Sequence, residues 1–79
     1  MQLDKNGLVL VTGGGGFIGG HLVADLRANG FERVRSVDIK PLHEWYQRFS
    51  DVENVQADMT LREAAYDATK GARYVFNLA

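Results

Sequence analysis

Three regularly spaced glycines, Gly13, Gly16 and Gly19, separate an apolar run from a stretch with helical periodicity. The apolar run, residues 8–11, is typical of a strand that is buried on both faces. A turn between a strand and a helix N-terminus binds anions, because free backbone N–H groups and the positive end of the helix dipole both face it. The spacing therefore predicts a phosphate-binding turn.

Each of these glycines has its own predicted task. Gly13 lets the chain turn off the strand, Gly16 lets a pyrophosphate approach the backbone, and Gly19 lets the helix pack closely on the sheet. The backbone N–H groups of Phe17 and Ile18 are the predicted phosphate donors. A mononucleotide P-loop would require Gly-Lys-Ser/Thr after the turn, whereas Phe-Ile follows Gly16 here.

The remaining glycines of the stretch have no predicted chemical task. Gly14 and Gly15 occupy variable positions, where we expect alanine to be tolerated, and Gly20 lies inside the helix. Valine at Gly16 is expected to abolish dinucleotide binding. The alternative is a tight turn without a ligand, which would need fewer glycines.

Asp38 ends the second apolar segment, about 20 residues after the glycine turn, where a dinucleotide-binding fold places its ribose-binding acid. Its carboxylate would accept hydrogen bonds from the ribose 2′- and 3′-hydroxyls and repel a 2′-phosphate. This favours NAD over NADP, although the neighbouring Lys40 leaves NADP open. The alternative interpretation of Asp38 is a solvated acid at a strand end.

The elements that would position these residues alternate between strand and helix. Strands are predicted at 8–11, 33–38, 54–58 and 73–78. Helices are predicted after Gly16, after Pro41 and after a capping box at 60–63, and Asn29-Gly30 and Lys70-Gly71 are the stop signals of the first and third. In the second helix, Trp45 and Phe49 would form a packing pair. The order β-α-β-α-β-α-β predicts an α/β fold with a parallel sheet.

The composition excludes several classes of protein. The chain has 79 residues, no cysteine and a net charge of −1, so thiol catalysis, disulfides and cysteine zinc sites are impossible. The absence of a basic stripe argues against nucleic acid, and the absence of a long apolar run argues against a membrane span. His21 and His43 lack partners at metal-ligand spacing, so no metal site is expected. We predict a cytoplasmic protein.

The stretch TGGGGFIG at 12–19, together with Asp38, Asp58 and the closing NLA, resembles the start of an extended short-chain dehydrogenase/reductase. The resemblance is to the NAD-dependent epimerase/dehydratase branch, which acts on nucleotide sugars. The stretches DIKPLHEWYQ and FNLA resemble GDP-mannose 3,5-epimerase relatives in particular. The resemblance implies an incomplete Rossmann-type sheet of order 3-2-1-4, with residues 1–79 as the N-terminal part of an NAD(P)-binding domain. The rest of that domain and the substrate domain would then be absent, and the apolar edge at 74–76 would make the isolated chain associate or be only marginally stable.

The resemblance also implies roles for further residues. Asp58 would accept a hydrogen bond from the adenine amino group, with Met59 beside the ring, and Leu78 and Ala79 would line the adenine and ribose side. Otherwise Asp58 is a loop acid or helix cap, and Leu78 and Ala79 belong to the sheet core. Thr12 would either hydrogen-bond across the glycine turn or serve as an ordinary strand-end residue.

Catalysis in the family relies on a tyrosine with a lysine four residues later. Tyr66 and Lys70 have this spacing, but they fall on the third predicted helix, too early for the family's pair. We therefore expect no catalytic residue in this chain, and no activity from it alone. The resemblance implies a homodimeric parent enzyme that transfers hydride transiently between a nucleotide sugar and NAD. A reductase of the same fold and a non-catalytic dinucleotide sensor are the alternatives.

Overall fold

The computed structural model describes residues 3–79 and consists of a four-stranded sheet with helices on both faces. The strands are β1 (Leu8–Thr12), β2 (Val34–Asp38), β3 (Glu53–Gln56) and β4 (Ala72–Asn77). The helices are α1 (Phe17–Ala28) and α2 (Arg62–Thr69), and a 3₁₀ helix spans Leu42–Glu44. All neighbouring strands are parallel and the order is β3-β2-β1-β4, which confirms the predicted fold class and strand order.

The central strand β1 is buried along its whole length, as its apolar sequence predicts. Because side chains alternate across a strand, Val9 and Val11 pack on one face with Val23 and Leu26 of α1. Leu10 packs on the opposite face with a cluster that includes Ala68 of α2. The sheet is thus covered from both sides, and its carboxyl edge is fixed in position.

Glycines in the left-handed region follow both helices at the predicted stop signals. Asn29 caps the C-terminus of α1 and Gly30 follows with a φ of 91°. Gly71 has a φ of 76° after α2. An L side chain is strained in this conformation, which is the physical reason for glycine at these two positions.

The predicted helix after Pro41 is wrong beyond one turn. Only the 3₁₀ helix forms, and the Trp45 backbone is already extended, with a φ of −67° and a ψ of 141°. Trp45 and Phe49 consequently do not pair as they would on a helix. Phe49 packs against the α1 side of the core, with the Arg27 guanidinium 4.3 Å from its ring centre.

The predicted capping box before α2 is also wrong. The Thr60 hydroxyl donates to Asp58 Oδ1 over 2.6 Å, so it does not cap the helix. The N-cap is Leu61, and no side chain caps the helix there. The cause is the carboxylate two residues earlier, which offers Thr60 a local partner and competes with the helical backbone.

Helix α2 contacts the sheet through one buried residue, Ala68, and through hydrogen bonds at its C-terminal end. Arg35 Nη1 donates to the backbone oxygens of Ala68 and Lys70 at its C-terminal end. On the edge strand β4, Val75 is 52% exposed on the same side of the sheet. Within residues 3–79, no helix combines the length and apolar character needed to cross a bilayer.

Candidate functional site

A cleft of about 730 Å³ opens at the carboxyl ends of the strands, and the ends of β1, β2 and β4 and the loop after β3 form its wall. Open parallel sheets bind their ligands at this edge. Six of the predicted cofactor residues line the cleft: Gly13, Asp38, Asp58, Met59, Leu78 and Ala79. The other four, Gly16, Phe17, Ile18 and Gly19, form the start of α1 directly after the turn. The fold thus gathers the predicted residues at one edge of the sheet.

The turn after β1 depends on Gly13 and Gly19. Gly13 has a φ of 78°, and a Cβ there would lie 2.9 Å from the carbonyl carbon of Leu78. A Cβ at Gly19 would collide with the carbonyl oxygen of Gly13. The N–H groups of Gly13 and Gly14 both donate to the carbonyl oxygen of Val37. The turn is therefore fixed to the end of β2, and α1 begins in contact with it.

The N-terminus of α1 presents free hydrogen-bond donors. Its N-cap is Gly16, which has no side chain to satisfy them, and the first turn contains no acidic residue. Among residues 3–79, the N–H groups of Phe17 and Ile18 have no hydrogen-bond partner. The local charge is therefore the partial positive charge of the helix dipole, which favours an anion.

The carboxylate of Asp38 is held in place by the backbone on both sides. The residue is 8% exposed, Oδ2 accepts the N–H of Gly15 over 3.0 Å, and Oδ1 accepts that of Lys40 over 3.0 Å. Each carboxylate oxygen has a second lone pair that can accept from a ligand hydroxyl. Asp38 thus couples the glycine turn to the cleft wall, a structural task that its position in the sequence does not reveal.

On the β3 side of the cleft, Asp58 is ionised at neutral pH. Hydrogen bonds from the hydroxyl and then the backbone N–H of Thr60 hold the pKa of this carboxyl below its usual value. Met59 packs against the core on the α2 side of the sheet. The pair therefore offers an anionic acceptor next to an apolar surface, which suits the edge and face of a nucleobase.

The β4 side of the cleft is joined to the glycine turn by hydrogen bonds. The Thr12 hydroxyl donates to Asn77 Oδ1, and the Leu78 N–H donates to the Thr12 carbonyl oxygen over 3.0 Å. Thr12 therefore bonds to the neighbouring strand and not across the turn. Leu78 is 45% exposed and lies against Gly13, at the cleft surface and not in the sheet core.

The glycines without a predicted task lie directly against side chains from other segments of the chain. A Cβ at Gly14 would collide with Ser36 Oγ, and one at Gly15 would lie 2.8 Å from the Trp45 ring. The Trp45 ring argues against tolerance of alanine at Gly15. At Gly14 the closest contact is with a serine hydroxyl that can rotate, so tolerance of alanine there stays a prediction.

Gly20 faces the side chain of Gln47, whose Cγ would lie 2.8 Å from an added Cβ. The backbone N–H of Tyr46 donates to the Gly15 carbonyl oxygen over 2.9 Å. The segment 45–47, which we call the WYQ strap, therefore lies across the glycine turn and the start of α1.

Alanine at Gly15 is expected to lower the free energy of unfolding by about 1–3 kcal/mol, the usual cost of overpacking. The buried Trp45 ring cannot withdraw easily, because its Nε1 donates to the Lys40 carbonyl oxygen over 2.9 Å. Urea unfolding would measure the loss. A second substitution, Trp45→Leu, makes room for the methyl group. Trp45→Leu should therefore lower the free energy of unfolding less in the Gly15→Ala variant than in the wild type. Additive effects of the two substitutions would contradict the contact.

Tyr66 and Lys70 lie away from the cleft. The Lys70 ammonium is 4.9 Å from the centre of the Tyr66 ring and forms an ion pair with Asp67 at 3.1 Å. Tyr66 is 67% exposed, and neither residue lines the cleft. This arrangement is a surface contact within α2 and has no geometry for proton transfer to a ligand in the cleft.

A parallel 3-2-1-4 sheet with a glycine turn and a strand-end acid at its carboxyl edge defines a Rossmann-type nucleotide-binding unit. Residues 10–79 match the model of the 3-beta hydroxysteroid dehydrogenase/isomerase family, and the chain belongs to that family. The predicted membership of the dehydrogenase/reductase and epimerase class is thereby confirmed.

Comparison with known proteins places the chain among reductases and epimerases. A ceramide reductase of Caulobacter vibrioides (strain NA1000 / CB15N) is 34% identical over 79 residues, which are 100% of this chain and 25% of the relative. A short-chain dehydrogenase/reductase superfamily protein from Agrobacterium tumefaciens, solved with bound NAD, is 32% identical, with a TM-score of 0.74 over 91% of this chain and 20% of that one.

Two further solved structures match this chain with similar scores. An epimerase from Methanothermobacter thermautotrophicus is 30% identical, with a TM-score of 0.76 over 95% of this chain and 23% of that one. MoeE5, in complex with UDP-glucuronic acid and NAD, is 39% identical, with a TM-score of 0.70 over 92% of this chain and 22% of that one. The chain thus spans a fifth to a quarter of the length of these relatives.

Proposed function

We propose that this chain binds the adenosine and pyrophosphate parts of NAD for an enzyme of the short-chain dehydrogenase/reductase class. The observation that carries the proposal is the position of the Asp38 carboxylate, buried beside the glycine turn and facing the same cleft. A carboxylate there accepts from ribose hydroxyls and repels a 2′-phosphate, so NAD is favoured over NADP. Two of the matched structures, from Agrobacterium tumefaciens and MoeE5, contain NAD.

The proposed site divides the cofactor among three groups of residues. The pyrophosphate would lie on Gly16 and accept from the N–H groups of Phe17 and Ile18, while Gly13 and Gly19 shape the turn. Asp38 would hold the adenosine ribose. The adenine would lie at the β3 side, with the remaining predicted residues around it: Asp58, Met59, Leu78 and Ala79.

For the full-length protein we propose a nucleotide-sugar epimerase or dehydratase, in which this chain forms the first part of the cofactor domain. NAD supplies reversible hydride acceptance when bound, and these residues hold and orient it. Support comes from the 39% identity to MoeE5, solved with UDP-glucuronic acid and NAD, and from the matched epimerase. GDP-mannose as the substrate class, a homodimer and a cytoplasmic location stay predictions.

A reductase is the second candidate, because the chain is 34% identical to a ceramide reductase along its whole length. The two functions differ in the fate of the cofactor. An epimerase or dehydratase returns the hydride to its substrate, so NADH does not accumulate over many turnovers. A reductase consumes NADH stoichiometrically. Absorbance at the NADH band during turnover of the full-length protein separates the two.

The proposed cofactor site is tested by Gly16→Val in the full-length protein. Gly16 has a φ of −84° and a ψ of 178°, which is extended backbone that valine adopts readily. An added Cβ there meets only Gly13 O at 3.5 Å and Lys40 Nζ at 3.9 Å. We therefore expect a small change in unfolding temperature and loss of NAD binding in calorimetric titration. Wild-type NAD affinity in this variant would refute the placement of the pyrophosphate.

A further inference from the structure

Lys40 extends its side chain over the start of α1 from the loop after β2. It lines the cleft, and its Nζ lies 3.9 Å from the position that a Cβ on Gly16 would occupy. Its backbone is held at both ends, since its N–H donates to Asp38 Oδ1 and its carbonyl oxygen accepts from Trp45 Nε1. The starting point of the side chain is therefore fixed relative to both the ribose-binding acid and the WYQ strap.

The charge around Lys40 is not balanced by the protein. Across residues 3–79, no carboxylate lies within 4.0 Å of its ammonium group, which is also true of several other surface cations. Among the cations of this part of the chain, Lys40 is the one that lines the cleft. The first turn of α1 contributes partial positive charge and no acid. The nearby Asp38 carboxylate already accepts two backbone N–H groups. An anion at Gly16 would thus meet two sources of positive charge.

We propose that Lys40 donates a charge-assisted hydrogen bond to the pyrophosphate of the dinucleotide, and this inference rests on the proposed function. The helix N-terminus supplies about half a unit charge, which is less than the two negative charges of a pyrophosphate. The ammonium adds one unit of positive charge at Gly16, which offsets most of the difference. Lys40 is then a cofactor-binding residue and not a determinant of NADP use, because its Nζ lies over the helix start.

The test is Lys40→Gln in the full-length protein, titrated with NAD, NADP, ADP and adenosine. ADP carries the pyrophosphate, and adenosine carries the ribose alone. We expect NAD and ADP to bind about tenfold more weakly, as for loss of one charge-assisted hydrogen bond, with adenosine unaffected. The dependence of NAD affinity on salt should also weaken. Lys40→Arg, which keeps the charge, should recover most of the affinity.

The matched control is Lys5→Gln, which removes the same charge before β1, at the opposite edge of the sheet. It should leave all four affinities at their wild-type values. Unchanged NAD and ADP affinity in Lys40→Gln would overturn the proposal, and so would a loss confined to NADP, which would place the ammonium at the 2′-position. A wild-type protein that binds none of these nucleotides would overturn the proposed function and this inference together.

Discussion

Alanine at Gly19 is expected to abolish NAD binding and to lower the free energy of unfolding by about 1–3 kcal/mol, the usual cost of overpacking. The new methyl group would collide with the Gly13 carbonyl oxygen and lie 2.9 Å from the Gly14 Cα. These are backbone atoms, so no side-chain rotation relieves the contact. Helix α1 must move away from the turn, and its phosphate donors move with it. Calorimetric NAD titration and urea unfolding measure the two losses.

Gly20→Ala is the matched control for this substitution. It adds the same methyl group one residue later, where the neighbour is the Gln47 side chain, with its Cγ 2.8 Å from the new atom, and not the backbone. Alanine also gains about 1 kcal/mol of helix propensity over glycine. NAD affinity should therefore stay near the wild-type value. If Gly19→Ala binds NAD as Gly20→Ala does, the close approach of α1 to the turn is not required for binding.

Alanine at Asp38 is expected to weaken NAD binding by at least about tenfold and to destabilise the fold by about 1–3 kcal/mol, the usual cost of an unsatisfied buried donor. The destabilisation arises because the buried N–H of Gly15 donates to this carboxylate and has no acceptor once it is removed. The ribose loses the same acceptor. Alanine alone therefore cannot separate the two tasks of this carboxylate. Thermal unfolding and NAD titration of the same preparation are both needed.

Asp38→Asn separates these tasks, because the amide keeps one oxygen for the Gly15 N–H but has no negative charge. The amide nitrogen then faces the Lys40 N–H, which loses its acceptor. The unfolding temperature of Asp38→Asn should therefore fall, but by less than that of Asp38→Ala. Its NAD affinity should fall, and its preference for NAD over NADP should narrow as the repulsion of a 2′-phosphate disappears. Wild-type NAD affinity in Asp38→Asn would remove this carboxylate from the ribose site, whatever its effect on the turn.

The features predictable from the sequence are those that depend on local pattern. Short apolar runs that alternate with helical stretches along the chain predict the strands and the parallel sheet. Gly30 and Gly71, both with positive φ, mark the helix ends. The spacing of Gly13, Gly16 and Gly19 with Asp38 indicates the edge of the sheet that carries the cleft. Each of these signals acts within one strand–helix unit, so the neighbouring residues suffice to interpret it.

The features that sequence analysis missed are contacts between distant segments. The side chain of Ser36 occupies the space beside Gly14, and the Trp45 ring occupies the space beside Gly15. No periodicity in the sequence near the turn predicts either contact. The available signal is that the turn contains more glycines than the three of the motif. An extra glycine in ordered backbone indicates that another segment approaches that backbone closely. The apolar pair Trp45 and Phe49 at i, i+4 is helical in pattern, whereas the Trp45 ring packs on the glycine turn.

The hydrogen bond from Thr12 to Asn77 has a consequence for the order in which the molecule folds. It joins residues 65 positions apart, and the contact of Gly13 with Leu78 closes a loop of similar length. Closing so large a loop has an entropic cost that contacts within β1 and α1 cannot recover in advance. The hydrogen bond of Thr12 and the contact of Gly13 with Leu78 therefore form only when β4 docks beside β1. During synthesis, a nascent chain that already contains the whole glycine motif still lacks the cleft wall that would hold a nucleotide.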